Sequence, residues 1–109
     1  MRSELLPILQ SLVARGELKF SLHGYEELAA DDILAEDVAS GIFDAVVVED
    51  YPAFAKGPAL LALQMDRSGS PLHVVWGVAT GQVGPAVMIT AYRPSPARWL
   101  GDWKTRRPK

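Results

Sequence analysis

Two histidines, a tyrosine–arginine pair and a set of carboxylates are the side chains of this sequence suited to proton transfer or anion binding. His23 stands three residues before Glu26 and four before Glu27, a spacing that puts all three on one face of a helix. An imidazole beside a carboxylate is oriented through one ring nitrogen and exchanges a proton at the other. Tyr92 brings a phenol that donates or accepts a proton, and Arg93 brings a planar fork that matches phosphate. Structural roles compete with each of these. His23 also suits a helix cap, Arg93 an ion pair with the acidic body of the chain, and Tyr92 the edge of a core. His73 lies between apolar neighbours in PLHVVWG and suits a structural histidine with one hydrogen-bond partner, so it ranks behind His23.

Other chemistries lack their residues. With no cysteine there is no disulfide, no thiolate metal site and no cysteine nucleophile. His23 and His73 together with Glu26, Glu27 or Asp32 have no HExxH or comparable ligand spacing, so neither a metal nor a cofactor is expected. The glycines of ATGQVGP sit between two strands, whereas a phosphate loop leads into a helix. No serine occupies a GxSxG elbow. Trp99 and Trp103, four residues apart, fit a face packed on a sheet better than a base-stacking platform.

The elements that must position these residues follow from periodicity. Leu5, Leu6, Ile8, Leu9, Leu12 and Val13 recur as one helix face between Ser3, a candidate cap, and Gly16, a candidate stop. A short strand is expected over 18–21, then a helix over 22–30 capped by Ser21, then a shorter helix over 34–40 closed by Gly41. The run Ala45 to Val48 reads as a strand covered on both faces, and residues 49–58 as a loop punctuated by Pro52, Gly57 and Pro58. Strands over 59–65, 72–78 and 86–92 are joined by hairpin-like links. In the last of them, alternation puts Met88, Thr90 and Tyr92 on one face, with Ile89, Ala91 and Arg93 on the other. Ser95 and Pro96 suit the start of a short C-terminal helix. The fold class is therefore α+β: N-terminal helices packed on a curved antiparallel meander of four to five strands, with that short helix at the end.

At 109 residues, 49% hydrophobic and 22% charged, the chain fits one domain over 1–109. The net charge of -2 is unevenly spread: residues 93–109 hold six basic residues against Asp102 alone. The remainder holds five basic residues against twelve acidic. A basic tail from about residue 100 either reaches phosphate, folds back onto an acidic surface of its own chain or a partner, or stays solvated. No run is long and apolar enough to span a bilayer and no secretory segment opens the sequence, so the expected location is cytoplasmic. A homodimer through a sheet edge or the first helix is left open.

Four stretches, FSLHGYEEL (20–28), VVEDYP with KGPALLAL (47–63), PLHVVWG (71–77) and ITAYRPSPARW (89–99), resemble domain-of-unknown-function family 4258. These are small bacterial proteins grouped with the barnase, EndoU, colicin and RelE-like nuclease and toxin folds. The resemblance implies the same α+β fold, with His23 at the family's helix histidine and Thr90, Tyr92 and Arg93 at its last-strand polar positions. Many members follow that histidine with arginines, where this chain has Glu27 and Asp31. The implied activity is metal-independent RNA cleavage. His23 would be the base oriented by Glu26 or Glu27, Tyr92 the acid and Arg93 the phosphate clamp. His73 and Thr90 would support them. The alternative is a non-catalytic module of toxin-like fold that binds a protein partner, such as an antitoxin or another subunit, through its acidic helices and basic tail.

Overall fold

Ser21 both ends a strand and starts a helix. Its Oγ accepts a hydrogen bond from the Gly24 amide at 2.9 Å and donates one to the Ile89 carbonyl at 2.8 Å. One hydroxyl thus satisfies an orphan helix donor and ties the helix to a distant strand. Gly24 allows the approach, since a Cβ there would stand 2.9 Å from the Ile89 carbonyl oxygen and from the end of Met88.

The computed structural model describes residues 2–108. Along the chain run α1 (Leu5–Ala14), β1 (Leu18–Phe20), α2 (Leu22–Ala30), α3 (Ala35–Gly41) and a 3-10 turn (Ile42–Asp44). They are followed by β2 (Val46–Tyr51), β3 (Ala59–Met65), β4 (Pro71–Gly77) and β5 (Ala86–Tyr92). The five strands form one open sheet in the order β1-β5-β4-β3-β2. β2 to β5 make the antiparallel meander expected from their short links, while β1 joins β5 in parallel, so the sheet is mixed.

Both faces of this sheet are apolar. On the first face Leu60, Ala62, Val74, Trp76, Met88 and Ala91 share a core with Leu9 and Leu12 of α1, Leu28 of α2 and Val38 of α3. On the second face Val48, Leu61 and Leu63 pack with Trp99, and Tyr51, Val75 and Trp103 close the cluster. β3 is consequently buried at every position but its last. Inside the first core, Gln64 donates to the Val38 carbonyl and accepts from the Trp76 indole, both at 2.8 Å.

Four expectations are corrected. β2 runs on to Tyr51, where a loop was expected from Glu49, because an extra residue at Val48 shifts its register on β3 and keeps Glu49 to Tyr51 paired. Val47 and Val48 are covered on opposite faces as the β-branched run implies, but β2 is an edge strand and Val46 is exposed. α1 begins after Glu4, and Ser3, one residue earlier, accepts from the Leu5 amide while donating to Asp50. No helix forms over residues 95–99. Ser95 closes a single turn to Arg98 and Trp99, after which Trp99 pairs with Arg106 in an isolated bridge. Burial of Trp99 on the second face turns the chain back before a second helical turn can form.

Gln64→Leu keeps the volume of the side chain but leaves the Trp76 N–H buried without its partner and removes the tie to the Val38 carbonyl. At about 1–3 kcal/mol for the orphaned donor, thermal unfolding should show a loss of about 1–3 kcal/mol. An unchanged melting temperature would mean that the bridge between α3 and β4 contributes nothing.

Candidate functional site

The last strand contains the decisive local feature. Val75 pairs with Thr90 and Trp76 with Met88, so Ile89 is an extra residue in β5, a bulge. The bulge reverses the expected alternation. Met88 and Ala91 face the first core, and Thr90 and Tyr92 face the second side of the sheet. Tyr92 therefore leaves the strand toward the second face and Arg93 toward the first, the reverse of the expectation set by Met88.

On the second face Tyr92 is paired across the ladder with His73. The His73 ring is fully buried, with Nε2 2.7 Å from the Trp103 carbonyl and Nδ1 3.1 Å from the Tyr92 hydroxyl. A carbonyl only accepts, so Nε2 carries the proton and Nδ1 accepts from Tyr92. The ring also meets the Trp99 indole edge to face at 4.5 Å. Burial lowers the His73 pKa, opposed by the Trp103 hydrogen bond, lowered further by Arg106 and opposed again by Glu49. Burial likewise raises the Tyr92 phenol. His73 is thus a neutral pin that holds residues 95–107 as a strap across the second face. The strap is fastened a second time where Arg106 makes a two-pronged pair with Glu49 and stacks 4.6 Å over the Trp99 ring. The hydrogen bond from Arg106 holds the Glu49 carboxyl below its ordinary range. The basic tail folds back onto an acidic residue of its own chain, one of the three possibilities read from its charge.

Arg93 is committed elsewhere. Its amide donates to Asp31 Oδ2 at 3.1 Å, its guanidinium reaches the Asp31 and Asp32 carbonyls at 3.4 Å, and Nη1 pairs with Asp66 at 3.1 Å. Asp31 and Asp32 lie just beyond the C-terminal end of α2 and Asp66 in the β3–β4 link, whereas His23 lies in the first turn of α2, about 12 Å of helix axis from Asp31. His23 is 71% exposed and stands 3.5 Å from Glu27 Oε1, while Glu26 makes no ion pair among the described residues. The expected site is therefore not assembled as a unit. Tyr92 meets His73, Arg93 meets three aspartates, and His23 meets Glu27 alone. Thr90 is half-buried opposite Val75.

A groove of about 530 Å³ opens where sequence reasoning placed no site. Lys19 and Val87, partners across β1 and β5, line it from the second face, since their neighbours Leu18, Phe20, Ala86 and Met88 pack toward the first core. Ser21 and Leu22 form one rim, and Phe54 and Lys56 of the β2–β3 loop form the other. Gly57 seats that loop against β4. Its φ is +126°, and a Cβ there would fall 2.0 Å from the Val78 carbonyl oxygen. Hydrogen bonds from Val78 to Pro58 and from Thr80 to Lys56, both 3.1 Å, complete the seat. The sequence signals were present in the Lys-Gly-Pro turn and in the alternation of Lys19, but nothing local joins positions 19 and 56.

A family model described as a domain of unknown function (DUF4258) matches residues 20–93. The chain belongs to that family. The DUF4258 match runs from the end of β1 through β5 to Arg93, and leaves α1 and the strap outside it. No curated protein and no solved structure matches the chain.

Because the folded state keeps His73 neutral with a lowered pKa, the unfolded state takes up its proton first as pH falls. Stability from this group is full above about pH 6.5 and is lost progressively below it. Thermal unfolding from pH 7.5 to 5 should show this decline, and His73→Gln should melt lower at pH 7.5 with a flatter profile. A decline equally steep in the variant would assign the effect to other groups.

Proposed function

We infer that the chain is a toxin-like RNA-handling domain that cleaves its substrate without a metal, with His23 as general base. The supporting observation is the position of His23. It is an exposed imidazole, 3.5 Å from Glu27, that directly follows two residues on the rim of the groove. RNA supplies its own nucleophile, the 2′-hydroxyl. In the step proposed, His23 takes the 2′-hydroxyl proton, the 2′-oxygen bonds to phosphorus, the bond to the 5′-oxygen breaks, and water protonates that leaving oxygen. Tyr92 is bound to His73 and Arg93 to its aspartates, so the roles of acid and phosphate clamp given them by the family resemblance pass to other groups.

That same engagement of His73, Tyr92 and Arg93 favours a second reading, a non-catalytic module docking a protein partner. Incubation of labelled RNA in chelator separates the two. The expected outcome is cleavage by the native chain that drops about 100-fold or more in a folded His23→Ala variant. RNA left intact by the native chain would leave the docking module.

A further inference from the structure

The groove differs in charge from the chain that carries it. The protein has a net charge of -2, yet this lining holds two lysines and no carboxylate. Lys19 and Lys56 are exposed and enter no ion pair among the described residues. Between them the floor is apolar, formed by Val87, Ile89 and Gly77. Phe54 stands 48% exposed at the edge on a loop held by Gly57, so its ring is offered to solvent on a fixed backbone.

The neighbouring half of the same face shows what the sheet does with apolar surface that has no ligand to receive. There the strap covers it, and Arg106 answers Glu49. The strap stops short of β1 and the groove, where apolar floor, aromatic ring and cations stay uncovered.

We propose that this groove binds single-stranded RNA, Lys19 and Lys56 contacting successive phosphates while a base stacks on Phe54. Cations along the backbone with an aromatic face for the bases are the shared physical requirements of single-strand recognition. An acidic or lipid ligand would use the lysines but not the planar ring, and a duplex would hide its bases from Phe54. The volume lies within the range of small-ligand sites and suits one nucleotide unit, with the strand continuing along the rim. The choice of RNA rests on the cleavage reading above, but the binding does not require that His23 act.

A 2′-O-methyl RNA of about eight nucleotides separates the two, because it offers phosphates and bases but no 2′-hydroxyl nucleophile. Its binding is followed by fluorescence anisotropy over a range of salt concentrations. Lys19→Ala with Lys56→Ala should weaken binding on the order of tenfold at low salt. It should also reduce the slope of log affinity against log salt by about 1.4, the share of two single-strand phosphates. Phe54→Ala should weaken binding about tenfold or more while leaving the slope unchanged. His23→Ala should bind as the native chain does, whatever its effect on cleavage. An unchanged slope in the double-lysine variant overturns the proposal. So does equal affinity for polyglutamate, or absence of binding at low salt.

Discussion

The structure depends on covering a sheet whose two faces are both apolar. Three helices contribute side chains to the first core, which also encloses the Gln64–Trp76 bridge. The second face has only the chain beyond β5 to cover it, a strap whose indoles supply area and whose attachment is polar. His73 receives the strap on Nε2 and Tyr92 on Nδ1, so both ring nitrogens are satisfied inside a buried site that would otherwise penalise them. Arg106 and Glu49 close the other end in a pair more exposed than His73 and therefore weaker as an anchor.

This arrangement decides which polar groups are free for chemistry. The bulge at Ile89 exchanges the faces of two residues that already point apart, sending Tyr92 to the strap and Arg93 to aspartates that include the pair after α2. Both then serve the fold. At the opposite end of β5 lie the exposed imidazole at the start of α2 and two lysines around an open floor. The DUF4258 match ends at Arg93, so the strap that completes the second face lies outside the matched residues.

Much of the framework was legible because it depends on local signals. β3 and β5 follow their apolar runs residue for residue, and Ser21 caps α2 through a bond inherent to its position. The meander follows from short links. What escaped depends on contacts between distant residues. The bulge at Ile89 is set by pairing with β4, and one extra residue reversed the face of Thr90, Tyr92 and Arg93. The parallel pairing of β1 requires knowing that Ser21 reaches the Ile89 carbonyl, 68 residues away. Ser95-Pro96 is a sound helix start, overruled by the burial of Trp99. The groove escaped for the same reason: its lysines come from β1 and from a loop that only Gly57 brings to the sheet.

The most direct test of this division of the second face is to map backbone amide shifts of the isotope-labelled chain as single-stranded RNA is added. Perturbations should gather at Lys19 to Leu22, Phe54 to Gly57 and Val87 to Ile89, and leave the amides around His73, Trp103 and Arg93 in place. Shifts centred on Arg93 and the strap, with the groove silent, would contradict the account and return the site to the last strand.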